Sequence, residues 1–262
     1  MKKELLNQLE TAWAGNTCLC FHQLDSTNDY AKELAKQQPV HGTLILAEKQ
    51  TAGKGRRGRI WQSPEGTTIS MSLCMEPKLP TEKVSGLTLV AALAVAKAVR
   101  EVAGVCGQIK WPNDIVLNGR KICGILTELC FRGGTYVVVV GIGVNVNTEE
   151  FPEEIKEVAT SLKRECGKAF SREMLIAAIL KYFEQFYTSY EKTQDLTMLR
   201  EAYESMLANK DREVQVLDPV AAYPGIARGI TNGGNLIVEC EDGTKREVYS
   251  GEVSVRGLYG YV

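Results

Sequence analysis

The sequence has no apolar run near the ~18 residues needed to cross a bilayer. Its opening, MKKELLNQLE, is charged where a signal peptide has an apolar core. Together these absences predict a cytoplasmic protein with no membrane partner. CxxC pairs are also missing, which removes the common zinc frameworks. The eight cysteines (Cys18, Cys20, Cys74, Cys106, Cys123, Cys130, Cys166 and Cys240) are therefore expected to be reduced and mostly buried thiols. No GxxxxGK[ST] loop occurs, which excludes a Walker-type nucleotide site. A large net charge is absent as well: 31 Lys and Arg stand against 32 Asp and Glu, a balance of −1. A module for long nucleic acid is usually basic, so any anion site here must be local.

What is present fits a globular protein of 262 residues, 44% hydrophobic and 24% charged, long enough for one large domain and a small companion. Residues 26–38 read as a helix, with Ser26 and Asp29 as a capping box and Pro39 as the stop. Residues 43–50 and 67–73 read as strands, and 84–99 as a buried helix. QIKW at 108–111 is a short strand ended by Pro112. The following IVL-NG-RKICGILTEL is a hairpin turned at Asn118-Gly119, and TYVVVVGIGVNVN is a central strand. Helical periodicity covers 171–192 and 195–208, with Leu199 and Tyr203 on one face of the latter. Beyond Lys210 only short β-type runs remain, with turn signals at Asn232-Gly233-Gly234 and Asp242-Gly243. This pattern predicts an α+β fold: a mixed sheet flanked by helices over residues 1–209, and a small β-barrel over 210–262.

Three segments carry chemistry. Gly53-Lys54-Gly55-Arg56-Arg57-Gly58-Arg59 places four cations among glycines. Glycine lets backbone N–H groups approach a ligand, and arginine presents a planar fork to phosphate or carboxylate. A solvated basic loop explains the segment equally well. Trp61 at its end offers a flat face for a purine or for packing. Lys110-Trp111-Pro112-Asn113-Asp114 follows the short strand, and the hairpin can return Lys121 to Asp114. A turn with a surface ion pair is the plainer explanation there. Gly141-Ile142-Gly143-Val144-Asn145 closes the valine strand, where a ligand's close approach and a bulge account equally for the glycines.

Taken together, these segments resemble the biotin protein ligases. GKGRRGRIW is similar to that family's biotinyl-adenylate loop, and KWPNDI, RKICGIL and GIGVNVN follow in the family's order. LDSTND and SGEVSVRG match its two ends. The resemblance implies the class II synthetase-like fold with an SH3-like C-terminal barrel. It implies biotin and ATP as substrates, with Mg²⁺ arriving on the ATP, since no carboxylate declares itself a metal ligand. Ser26, Thr27 and Gln50 would bind biotin. So would Gly53, Lys54, Gly55, Arg56, Lys121, Gly124 and Gly143. Arg56, Arg57, Arg59, Trp61, Lys110, Asn113 and Asn145 would bind ATP. Lys54 departs from the family's usual Arg, replacing a fork by a point charge.

Lys121 and Arg56 would offset charge at the reacting phosphate, and Asp114 would take a proton from the acceptor lysine. The implied partner is a biotin carboxyl-carrier domain. Some members also carry an N-terminal helix-turn-helix domain and repress biotin genes. Roughly sixteen residues before the first expected strand leave no room for one, so no DNA partner is expected. A free sheet edge leaves pairing into a homodimer open. Glu252 and Arg256 lie where the barrel could dock the carrier or complete the ATP site. The rival readings are a lipoate or octanoate ligase, whose arginine-plus-triple-glycine strand is not found, and a nucleotide- or RNA-binding module. The glycine-rich loop is expected to be mobile and to close on ligand.

Overall fold

The computed structural model describes residues 2–217, 222–250, 254–257 and 261–262. A seven-stranded sheet forms the body, built from β1 (Thr17–Leu24), β2 (Thr43–Gln50), β3 (Thr68–Met75), β4 (Gln108–Lys110), β5 (Asp114–Leu117), β6 (Arg120–Arg132) and β7 (Thr135–Asn145). Their order is β1-β2-β3-β7-β6-β5-β4, with β1 and β2 parallel and every other pair antiparallel. This is the expected mixed sheet. Asn118 and Gly119 turn the β5–β6 hairpin with φ of 48° and 75°, the positive pair that a two-residue turn of this kind requires.

Side chains alternate along each strand, so each face has its own core. On β7, Val138, Val140, Ile142 and Val144 join the main cluster with Leu87, Val90, Leu175, Ile179 and Phe183. The last five come from α3 (Gly86–Ala103) and α5 (Arg172–Thr193), which cover that face, while α1 (Lys2–Leu6) and α4 (Leu162–Cys166) are short helices of five residues each. Val137 and Val139 point the other way, toward Ala31 and Ala35 of α2 (Thr27–Gln37). Two residues further on, that same face carries Gly141 and Gly143, and its valine packing gives way to a cavity.

Ser26 caps α2, accepting the Asp29 N–H at 3.3 Å as its sequence predicts. The helix expected over 195–208 is shorter. Asp195 Oδ1 instead accepts the Thr197 N–H and makes a turn, and the α-helix is confined to Arg200–Glu204. Leu199 and Tyr203 are still buried. All eight cysteines are free, but only Cys18, Cys74, Cys123 and Cys130 are buried, while Cys20 and Cys106 are exposed.

A second, antiparallel sheet of five strands forms the small C-terminal SH3-like domain, in the order Lys245–Val248, Leu236–Glu239, Tyr223–Ile230, Arg212–Leu217, Ser254–Gly257. Both expected turns are used, with Gly234 and Gly243 at positive φ. Trp111 joins it to the body: its fully buried indole N–H donates to the Gly234 carbonyl at 2.9 Å. Among the described residues no helix is long and apolar enough to cross a membrane.

Candidate functional site

Strand register builds the site floor. Lys110 pairs with Asp114, Asp114 with Gly124, Gly124 with Gly143, and Gly143 with Ser70. These five residues run as one row across five strands, on the face shared with α2. The two glycines in mid-row leave room above the sheet. A Cβ on Gly143 would lie 2.4 Å from the Trp61 ring, and one on Gly124 3.1 Å from Lys121 Nζ. The next row repeats the device, since a Cβ on Gly141 would meet Asn28 Oδ1 at 2.3 Å. A cavity of about 470 Å³ opens here.

One wall is neutral and polar. Gln50 Oε1 accepts the Thr27 N–H at 2.8 Å and its hydroxyl at 3.1 Å, while Gln50 Nε2 donates to Ser63 Oγ at 3.2 Å. Ser72 donates to Asn28 Oδ1 at 2.6 Å, and Asn28 Nδ2 donates to Glu128 at 2.8 Å. These groups are buried or half-buried and already satisfied, so they hold fixed directions toward a ligand.

The opposite wall is cationic. The 53–61 segment is a tight turn, with Gly55 N–H bonded to Arg59 O at 2.7 Å and Trp61 N–H to Gly53 O at 2.9 Å. The segment is thus folded onto the site. Lys54 pairs with Asp29 of α2 at 2.7 Å. Arg56 donates to Asn113 Oδ1 at 2.9 Å and to the Ser250 carbonyl of the small domain.

Lys121 Nζ lies 2.6 Å from Asp114 Oδ1, an ion pair without directed hydrogen-bond alignment. The Tyr261 hydroxyl donates to the other oxygen, Oδ2, at 2.5 Å. Burial works to raise the Asp114 pKa, but Lys121, Tyr261 and Lys110 outweigh it and hold the carboxyl below its usual range. Lys110 stands 3.4 Å above the Tyr261 ring. Its burial pulls its pKa down to about 8, against the attraction of Asp114 and with help from Lys121, Arg256 and Arg59.

The cavity is lined by Ser26, Thr27, Gln50, Lys54, Gly55, Arg56, Trp61, Asn113, Lys121, Gly124 and Gly143, all expected from the sequence. Six further candidates do not line it. Gly53 is spent on the loop's own closure, since a Cβ there would meet Trp61 O at 2.3 Å. Arg57 and Arg59 are exposed. Asn145 turns away and donates to Thr160 O at 3.1 Å. The Thr160 N–H in turn bonds Lys121 O, and the Lys121 N–H bonds Val158 O, so Asn145 is tied to the backbone of Lys121. Lys110 and Asp114 stand at the end of the row, behind Lys121. Trp61, expected against a purine, packs on Gly143 and Gly124, where a biotin contact was expected. Glu252 lies outside the described residues, while Arg256 acts on Lys110 and Tyr261.

Sequence reasoning missed Asn28, Ser70, Gly141, Leu126 and Tyr261. Asn28 directly follows the predicted Thr27, and Gly141 shares a face with Gly143 by strand alternation, so both were within reach. No local signal marks Tyr261. Among the described residues no group of three His, Cys, Asp or Glu could hold a metal ion. The nearby carboxylates Asp29, Asp114 and Glu128 are each taken by lysines. The described residues therefore do not fit a protein-held Mg²⁺.

Comparison with known proteins gives a consistent set of relatives. The biotin/lipoate A/B protein ligase family matches residues 20–145, and the biotin protein ligase C-terminal domain matches residues 211–256. The bifunctional ligase/repressor BirA of Bacillus subtilis is 38% identical over 257 residues, 97% of this chain and 78% of that protein. The biotin–[acetyl-CoA-carboxylase] ligase of Paracoccus denitrificans is 34% identical over 221 residues, 82% of this chain and 90% of the relative. Among solved structures, the biotin protein ligase of Aquifex aeolicus in complex with biotin and ATP superposes with a TM-score of 0.83 at 31% identity, covering 92% of this chain and 99% of that one.

Proposed function

We propose, since this chain belongs to the biotin protein ligase family, that it joins biotin to a lysine of a carboxylase's biotin carrier domain through biotinyl-5′-AMP. The observation that carries this reading is the pairing of two unlike walls over one glycine floor. The Thr27–Gln50–Asn28 side offers fixed neutral hydrogen-bond groups, suited to the uncharged ring system of biotin. The Lys54–Arg56–Lys121 side offers cations, suited to a carboxylate meeting phosphates. The C-terminal match favours biotin over lipoate, which the shared family of residues 20–145 does not separate.

In the first half-reaction the biotin carboxylate attacks the α-phosphorus of ATP and pyrophosphate leaves. Charge gathers on phosphate oxygens, and Arg56 and Lys121 offset it in a site partly screened from water. Mg²⁺ is expected on the nucleotide, and no step is assigned to it. In the second half-reaction a lysine amine attacks the anhydride carbonyl. The C–N bond forms, the C–O bond to AMP breaks, and one amine proton is released. Asp114 takes that proton once Lys121 has turned to the phosphate, because its Oδ1 is then free. Lys121 would exchange one anion for another in this move, and Asn145 supports it from behind through Thr160.

The free thiols agree with a cytoplasmic setting. The repressor role named for the Bacillus relative is not carried over; the near-neutral net charge supports a ligase alone. The test is incubation with biotin, ATP, Mg²⁺ and a carrier domain. Mass spectrometry should show one biotin added to one lysine, with AMP released. Equal use of lipoate, or salt-dependent nucleic-acid binding without AMP formation, counts against the reading.

A further inference from the structure

Both oxygens of Asp114 are occupied, but by unlike partners. Lys121 approaches Oδ1 at 2.6 Å without directed alignment. The Tyr261 hydroxyl makes an aligned bond to Oδ2, in the short range of a charge-assisted O–H···O⁻ contact. The Tyr261 ring also lies 3.4 Å beneath the Lys110 ammonium, and Lys110 is the register partner of Asp114. Tyr261 comes from the far end of the chain, 147 residues from Asp114. The small domain reaches the same site at Ser250, whose carbonyl accepts from Arg56.

We propose that Tyr261 is a positioning residue of the ligase centre: it anchors Asp114 by Oδ2, so that Oδ1 is presented to the incoming amine when Lys121 leaves. This rests on the reading of Asp114 as proton acceptor. Without a second anchor, a carboxylate released by its lysine would rotate or draw Lys110 into the vacated place. With Tyr261 the carboxylate keeps its orientation through the exchange. Burial, with the Asp114 anion beside it, pushes the Tyr261 pKa upward, so its proton stays in place and the residue acts as a donor only. The groups facing Asp114 are Lys121 from β6, Lys110 from β4, Arg56 from the loop and Tyr261 itself. Arg59 and Arg256 act on Lys110 and Tyr261 from further out. The small domain is thereby part of the transfer chemistry and not only a support.

The test is Tyr261→Phe in the full chain, which keeps the ring under Lys110 and removes one hydroxyl. Adenylate formation is followed by biotin-dependent ATP–pyrophosphate exchange. Transfer is followed from preformed biotinyl-AMP to a carrier domain as pH is varied. Exchange should fall less than transfer, since in that step Asp114 only partners Lys121 and takes no proton. Transfer kcat should fall about tenfold with carrier KM unchanged, the loss expected for one hydrogen bond to a charged group. The acid limb of the transfer profile should move to higher pH, because losing a donor to the ionised form raises a carboxyl pKa. The position of that limb does not depend on how much enzyme is folded. In an Asp114→Asn background, Tyr261→Phe should have no further effect.

An unmoved limb with wild-type transfer overturns the proposal. So does a loss that persists undiminished in the Asp114→Asn background. If the wild-type chain forms no biotinyl-AMP, the ligase reading fails first; if it ligates biotin and only the Tyr261 effects are missing, this inference fails alone.

Discussion

The two halves of the site solve different problems with the same residue. On the floor, Gly124, Gly141 and Gly143 sit in paired strands with buried neighbours, and each omits a side chain so that Lys121, Asn28 or Trp61 can lie close. In the 53–61 loop the glycines shape a turn instead. Arg57 there is held at φ 58°, Gly58 at φ 70°, and Arg57 through Ile60 are exposed. The neutral wall thus rests on a packed framework, and the cationic loop is a segment with few buried contacts. Such segments open at low free-energy cost. The contrast predicts that floor changes alter stability and ligand fit together, while loop changes alter chemistry and retention with little effect on stability.

Lys121 belongs to both halves, being a floor residue with a loop-type task, and its loss should be largest. Lys121→Gln should lower biotin-dependent pyrophosphate exchange by about 10²–10³-fold, the usual cost of removing one charge-stabilising donor. A loss below tenfold would mean that the loop arginines carry the phosphate chemistry without it. Arg56→Gly comes next. Arg56 spans the loop, Asn113 and Ser250, so its removal should loosen the cover. Biotinyl-AMP should then leave about 10–100 times faster, by the size of hydrogen bonds to a charged group, and proteins nearby should be labelled without selection. Filter retention of radiolabelled adenylate measures this, and undiminished retention would show that the loop is not the cover.

Lys110 sharpens the floor side. Unfolded, it keeps its proton up to the ordinary lysine pKa of about 10.4; folded, it gives the proton up at about 8. Between these values the unfolded chain binds more protons, so this residue's contribution to stability rises with pH. The rise amounts to at most about 3 kcal/mol across the window. Lys110→Met should abolish it, so unfolding free energies of mutant and wild type should converge as pH is raised from about 7 to about 10. Parallel curves would mean that the buried ammonium is solvated well enough to titrate normally. Gly141→Ala should be milder, at about 1–3 kcal/mol for overpacking against Asn28, or roughly 2–12 °C in Tm.

The floor explains which parts of the site were legible in the sequence. Turn chemistry is a local rule, so Asn118-Gly119 announced the hairpin that returns Lys121 to Asp114, and glycines inside a valine strand drew attention to Gly143. Register between strands distant in sequence is not local, and so the row that aligns Ser70 with Lys110 could not be read. The family resemblance named eleven residues that line the cavity. It also named Gly53 and Asn145, which do not line the cavity: Gly53 lies against Trp61 O, and Asn145 donates to Thr160 O. A motif records that a residue type is required but not which atom it serves. Tyr261 had no motif and no periodicity, because its role depends wholly on where the small domain ends. The shortened 200–204 helix was lost to a side-chain-to-backbone bond at Asp195, which competes locally with helix formation.

Lys54 gives the smallest effect and the cleanest break between the two regions. Its pair with Asp29 is the loop's one described ion pair to α2, and the two side chains are 49% and 37% exposed. An exposed pair of this kind is worth about 0–1 kcal/mol, and salt near 1 M should screen it, with a Debye length of about 3 Å. Lys54→Met should therefore lower Tm by no more than about 2–4 °C in dilute buffer, and by less in high salt. Lys54→Arg, which restores a planar fork, should leave Tm unchanged and lower the biotin KM slightly if the fork engages the carboxylate better than a point charge does. A salt-insensitive loss of Tm well beyond that range would mean the loop is anchored as firmly as the floor. The division between a rigid neutral wall and a yielding cationic one would then not hold.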